Sequence, residues 1–320
     1  MRGRGIYHPQ SVSLRHGNTD EIHISRRIQR TKAPDADLLD ETLVPLFARL
    51  NVGAVISGHH ASDVSCTDPA AVRAFPTSFT SIEEAWQELV KLLHHALKFV
   101  LQASSKRYSR TFTTEDLAFH SHLLSQMAHW LRLVKDFERN NDKEDLSENT
   151  LLCSARLQHQ CAWIWLSCCT DPLEMKYDNY MDGFREIFSI GKVLVSNSLL
   201  RTPDSEFDFA YDLEYVAPLF FGAMKCRDPI LRRHFVQLLD RRKRWESIWD
   251  SERCACMARR LIALEESGLC GSSVHKYPPA RYRIHEHQMS IDRPSFKATF
   301  HSLPSGLGSE LYTWVETWHI

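Results

Sequence analysis

The chain has 320 residues, of which 43% are hydrophobic and 25% charged, with a formal net charge of −1. That composition is enough for one or two globular domains burying about three-quarters of the surface the unfolded chain exposes. The near-neutral balance excludes a global field that would draw the chain to nucleic acid or an anionic membrane, leaving only local basic patches for such contacts.

Residues 1–37 are polar, basic and aperiodic, and read as a solvated arm. Met1–Gly5 is Arg/Gly-rich and leads into no apolar stretch, so no secretory signal is expected. The first predicted helix spans 38–56, where Leu39, Leu43, Leu46, Phe47 and Leu50 recur at three- and four-residue spacing.

The second begins at a capping box. Ser81 is read as the cap, and the Glu84 carboxylate is expected to reach back to it. Its stripe is Ile82, Ala85, Trp86, Leu89, Leu93, Ala96, Leu97 and Val100, and its end is placed near Ala103.

The third covers 114–139, with Leu117, Leu124, Met127, Leu131 and Val134 on one side. The fourth, 148–169, is apolar nearly all round from Cys161 to Leu166, so it should lie inside the protein, with Trp165 as well as Trp86 mostly buried. Its run Cys161–Cys169 falls well short of the roughly 20 apolar residues a membrane span needs, so no span is expected.

A fifth helix spans 177–200. Pro218 opens a sixth, which stops before Asp228. There Asp228 and Pro229 start a seventh: the carboxylate caps a free N–H, and proline at the first helical position loses no hydrogen bond. Leu231, Phe235, Leu238 and Leu239 form its core face. The eighth runs from Ser251 to Gly268, read as a left-handed C-cap.

From Gly271 onward aromatics stand among Pro and His, suggesting an irregular segment or hairpin, with a last strand or frayed end over 311–320. The expected fold is therefore all-α: an array of about eight helices, mostly antiparallel neighbours because the links are short, with a small irregular or hairpin C-terminal segment. Three parts are expected: the arm 1–37, the helical domain 38–270 and the tail 271–320.

No catalytic or metal constellation stands out. The nine cysteines are scattered, most of them in apolar helical contexts, and read as small buried hydrophobes in a reducing compartment. Cys254 and Cys256 lack the paired C-x2-C spacing of structural zinc. The pairs His59/His60, His94/His95, His120/His122 and His285/His287 lack the i,i+3 or i,i+4 spacing that shares a helix face. Phosphate-cradling and nucleophile-elbow motifs are missing. The run Arg241-Arg242-Lys243-Arg244 admits two readings: a nuclear-import or phosphate-contact run, or a structural one, either a solvated interhelical loop or ion pairs to nearby acids such as Asp240 and Glu246.

One ordered pattern remains: Pro218-Leu219-Phe220-Phe221, then Lys225-Cys226-Arg227-Asp228-Pro229, Leu231-Arg232-Arg233, Leu238-Leu239, then Trp249-Asp250-Ser251 and Leu264-Glu265-Glu266. It resembles the C-terminal signature of fungal-specific transcription factors of the zinc-cluster (Zn2Cys6) class. Val44–Leu50, Phe79–Ala85, Tyr177–Tyr180 and Phe184–Ile187 resemble segments of the same family's middle region, so the likeness runs over about 38–286. Two departures stand out. Ser247 occupies the place of the family's glycine in Arg-x-Glu-Gly-x-Trp-Asp-Ser, where a left-handed backbone suits serine poorly. The six-cysteine DNA-reading cluster is missing, the first cysteine being Cys66.

The resemblance implies a nuclear regulatory domain without enzymatic activity. Its partners would be transcriptional machinery, regulatory proteins or a small-molecule effector; it would hold no cofactor, zinc belonging only to an N-terminal cluster. Neither sequence-specific DNA binding nor membrane insertion is expected. Two alternatives remain: a helical scaffold outside transcription, and an enzyme without a recognisable motif. Independently of the family, Arg227, Arg232 and Arg233 are expected to tie the Cys226–Pro229 corner to carboxylates or carbonyls of a neighbouring helix, with ligand recognition as the alternative role.

Overall fold

A computed structural model describes residues 75–141, 149–201, 208–210, 214–247, 249–269, 277–292 and 295–319. The arm, the helix expected over 38–56, Cys66, His59/His60 and Cys270 lie outside these residues. Seven α-helices are described: α1 Ile82–Ser109, α2 Thr114–Asn140, α3 Thr150–Cys168, α4 Met181–Arg201, α5 Val216–Lys225, α6 Pro229–Asp240 and α7 Ser251–Glu266. They match the second to eighth predicted helices. The protein is mostly helical, with a small strand segment at its C-terminal end.

Local chemistry explains the boundaries. Ser81 Oγ accepts the Glu84 N–H at 3.1 Å, but the Glu84 carboxylate bonds the N–H and hydroxyl of Thr80 at 2.8 and 2.7 Å, one residue further back than expected. The full capping box belongs to α2, between Thr113 and Asp116. Helix α1 overruns the expected end by six residues and stops at Arg110, whose backbone is left-handed at φ 55°. No Gly or Pro interrupts 103–109, and the overrun carries Arg107 into the interior. At the far end of the domain α7 passes into a 3-10 turn, Ser267–Leu269, through a right-handed C-cap at Ser267 instead of a left-handed Gly268.

Helix α3 is the centre, packed against α1, α2, α4 and α5 and buried around most of its circumference. Two expectations about its surroundings need correction. On α2 the buried face is Leu123, Met127, Trp130, Leu133 and Val134, while Leu117 is 47% exposed. The stripe is rotated because Trp130 Nε1 donates to Ala85 O at 2.8 Å and anchors that edge on α1. On α3, Trp165 is only half-buried; the fully enclosed tryptophans are Trp130 and Trp249. Helices α5 and α6 approach closely at Gly222, where an added Cβ would sit within 2.8 Å of the Phe235 ring.

Strands are not confined to the tail. Asp208–Ala210 (β1) pairs parallel with Arg244–Glu246 (β2), which pairs antiparallel with Trp249–Asp250 (β3). The tail holds a three-stranded antiparallel sheet, more than a hairpin: β4 Ile284–Asp292, β5 Ser295–Ser302 and β6 Tyr312–His319, in that spatial order. Ala298 and Phe300 of β5 are buried against the helical core, with Trp314 and Trp318 of β6 packed beside them.

Candidate functional site: a buried ionic node

Asp171 begins the site. Its carboxylate accepts the N–H groups of Leu173 at 3.0 Å and Lys176 at 2.7 Å, closing a tight turn after α3. Within it Glu174 adopts φ 54° and is fully buried. A left-handed non-glycine residue costs roughly 1–2 kcal/mol, and a buried carboxylate costs more unless paired. The position is held by its partners.

Those partners come from the α5–α6 corner. Asp228 caps α6 by accepting the N–H groups of Ile230 and Leu231 at 3.1 and 2.9 Å, with Pro229 in the first turn. The corner directs Lys225 and Arg227 inward. Lys225 Nζ donates to both Glu174 oxygens at 2.6 and 2.8 Å and to His285 O at 2.8 Å. A single nitrogen of Arg227, Nη2, donates to Glu174 Oε2 at 3.0 Å and to Glu265 Oε1 at 2.9 Å. Arg232 Nη2 donates to the second oxygen of Glu265 at 2.8 Å, and the Ile284 N–H donates to the first at 2.9 Å.

The node extends outward from there. Arg107 of α1 stands 3.7 Å from Glu174. Arg283 forks onto Asp178 at 3.0 and 2.6 Å and also donates to Glu174 O. The Tyr177 ring lies under Lys225 and Arg227. At the rim, half-exposed Arg233 pairs with Glu266. The corner is thus tied to α7 by Glu265 and Glu266, as its arginines imply, and also to α1, the Glu174 turn and β4.

Electrostatics follow from this geometry. Burial alone would raise the Glu174 pKa, but Lys225 and then Arg227 hold it down at about 2. Burial likewise opposes ionisation of Glu265, and Arg227 and Arg232 again outweigh it. Burial pushes His285 down to about 4 despite the attraction of Glu174, leaving a neutral ring whose Nδ1 meets the Tyr108 hydroxyl at 3.2 Å.

A second cluster seats the basic run. The Glu246 carboxylate accepts the N–H groups of Glu214, Tyr215 and Val216 at 3.0, 3.1 and 3.0 Å, capping the N-terminus of α5. Arg244 Nε donates to it at 2.9 Å, and Arg244 also meets Glu214 at 2.9 Å. Arg242 is buried and donates to Ser198 O at 2.8 Å. Lys243, at the surface, pairs with Glu252, and Arg241 is exposed. The solvated-loop reading therefore fails for half the run, whereas its pairing to Glu246 is present; Asp240 pairs instead with Arg259. Ser247, next in line, has φ 55°, the left-handed backbone anticipated at the family's glycine. Trp249 packs on Phe220, Asp250 caps α7, and buried Ser251 bridges Arg242 O and the Arg244 N–H. Pro218 sits in the first turn of α5, two residues inside its start, where its missing N–H has no helical partner to lose.

Among the described residues of the histidine pairs, His94, His95 and His120 serve packing. His94 and His95 meet edge-on, and His120 donates from Nε2 to Leu166 O at 2.8 Å while stacking on Phe99. His159, unremarked in the sequence, donates from Nε2 to Met127 O at 2.9 Å between Trp130 and Trp163; burial holds its pKa at about 4. Six of the seven described cysteines are buried. Burial pushes the Cys169 and Cys226 thiols up to about 12, so they stay protonated and poorly nucleophilic. Among the described residues no group of three or more His, Cys, Asp or Glu converges as a metal site, and no helix is long and apolar enough to cross a membrane. The cavity between α1, α3 and α5, lined by Leu93, Trp165 and Phe221, has about 20 Å³ of space, room for little more than one water.

The sequence marks Lys225, Arg227, Arg232, Arg233, Glu265 and Glu266 and holds Asp178 only within the Tyr177–Tyr180 segment, but leaves Arg107, Glu174 and Arg283 unmarked. Glu174 and Arg283 lie in irregular links where no periodicity marks an inward side chain. A search for buried partners of the Arg227 charge is the signal that leads to them. No family model, curated protein or solved structure matches the chain.

Proposed function

We propose that this chain is the regulatory, non-DNA-binding portion of a fungal-type transcription factor, acting in the nucleus through contacts with regulatory proteins or an effector rather than by catalysis. One observation supports this reading beyond the resemblance itself. Lys225, Arg227, Arg232, Glu265 and Glu266, which carry much of the signature, meet at one ionic node. A pattern spread over more than forty positions thus describes a single three-dimensional unit. Each of these charges faces an opposite one inside the node. They join five segments of the fold, which suits a domain that must hold one arrangement while partners come and go.

Tethering the full chain to a heterologous DNA-binding domain at a reporter promoter tests the proposal. The expected result is a several-fold change in reporter output, in either direction, with nuclear enrichment of the untethered chain. Unchanged output and exclusion from the nucleus would overturn it. A helical interaction scaffold is the second reading, favoured by Leu117 and Phe119, which stand 47% and 44% exposed on α2. Stable complexes without any reporter effect would select it.

A further inference from the structure

The C-terminal sheet meets the helical array at a groove that the ionic node does not use. Ile284, Ser302 and Tyr312 form one row across the three strands, each paired with the next. Opposite this row stand Leu264, near the end of α7, and the 3-10 turn Ala280–Tyr282. The space between is about 300 Å³ and open to solvent, at the lower end of the range of small-molecule sites.

Its walls have a definite chemistry. Tyr312 and Trp314, alternate residues on one face of β6, lie with ring centres 5.4 Å apart and tilted by 31°. Trp314 is held from behind by buried Phe300 at 5.3 Å and has its indole N–H directed to Glu316 at 3.3 Å. Glu316 is itself clamped by Arg260, so that carboxylate is neutralised. Across the groove the Arg281 guanidinium lies 4.9 Å above the Tyr282 ring. Arg281 is exposed and makes no ion pair or hydrogen bond with the described residues. The groove therefore offers aromatic faces, an apolar floor at Ile284 and one uncompensated cation already oriented by its stack.

We infer that this groove binds a small planar aromatic carboxylate. The ring would lie against Tyr312 and Trp314, and the carboxylate would take the free donor fork of Arg281, whose planar geometry suits two parallel N–H···O bonds. A neutral aromatic would leave the fork to water, and an aromatic cation would meet repulsion from Arg281. The assignment stands independently of the transcriptional reading, because it is measured on the purified chain whatever the reporter does.

The test is titration of the full chain with 2-naphthoate and, separately, with its neutral analogue 2-naphthamide, read by calorimetry and by quenching of tryptophan fluorescence. The expected result is saturable one-to-one binding of the carboxylate, about two- to fivefold tighter than the amide, the gain of a solvent-facing ion pair. The affinity should fall as salt rises, since the pair faces solvent. Arg281→Gln should erase the preference, Arg281→Lys should restore part of it, and Tyr312→Ala should weaken both ligands. These side chains are exposed, so the variants should melt like the parent. Absence of saturable binding, equal affinity for the two ligands, or a preference that survives Arg281→Gln would each overturn the assignment. So would a proline-rich peptide that competes for the groove and binds more tightly than either naphthalene.

Discussion

The ionic node and the C-terminal sheet lie side by side and are built on opposite principles. In the node, charges are enclosed and each is answered by another: Arg227, Arg232, Glu174 and Glu265 are all within 1% of complete burial. In the sheet, aromatics carry the packing and the ion pair stays at the surface, with Arg260 42% exposed in its bond to Glu316. Both regions join the tail to the helices. A chemically similar Arg–Glu contact thus has a different consequence according to what surrounds it. Losing one partner of an enclosed pair strands an unsolvated charge, whereas losing one at the surface returns its mate to water.

Arg227→Met removes the cation shared by Glu174 and Glu265 and should cost roughly 3–5 kcal/mol of stability, read from the denaturant midpoint. A loss below about 1 kcal/mol would place the node in the same class as the surface pair.

Next is acidification. His159 and His285 have pKa values near 4 because burial disfavours their charged forms, against about 6.5 in the unfolded chain. The folded state therefore binds fewer protons between these values, so each contributes stability that is full above pH 6.5 and is lost as pH falls through 4. The loss is up to about 3 kcal/mol for each. Below about pH 4.5 the depressed Glu174 adds a further loss that continues towards pH 2. Urea unfolding at pH 7 and pH 4.5 checks this, and equal midpoints would contradict the enclosure of these rings.

Ser247→Gly relieves a left-handed backbone, and after the added freedom of the unfolded chain it should stabilise by about 0.5–1 kcal/mol. A destabilised variant would show that the serine side chain is needed there. Arg260→Ala on the sheet side should cost no more than about 0.5–1 kcal/mol, and less at high salt. A cost near that of Arg227→Met would erase the distinction between the regions.

The two regions also differ in how far the sequence reveals them. The Asp228-Pro229 corner and the starts of α1, α2 and α7 are local events, encoded by caps and apolar spacing within a few residues. Helix ends were less legible: α1 runs past Ala103 because Arg107 finds a buried partner in Glu174, sixty-seven residues downstream. Ser247 is legible only through the resemblance, which implies a glycine at its position. The sheet shows in the sequence only as an irregular segment or hairpin followed by a last strand or frayed end, because its aromatics alternate weakly among Pro and His, and its register depends on the pairing of β5 with β6. The convergence of Glu174 on Lys225 and Arg227 had no local trace, since the turn at Asp171 that directs it inward looks like any polar link.

The node acts as one unit, and a double-mutant cycle on Glu174→Gln and Glu265→Gln tests that directly. Both carboxylates bond the same nitrogen of Arg227. The first loss leaves Arg227 one anion; the second leaves it none. The predicted result is a combined destabilisation exceeding the sum of the single losses by about 1 kcal/mol or more. Additivity within about 0.3–0.5 kcal/mol, the behaviour of independent sites, would contradict it and reduce the node to separate ion pairs that share a corner of the fold.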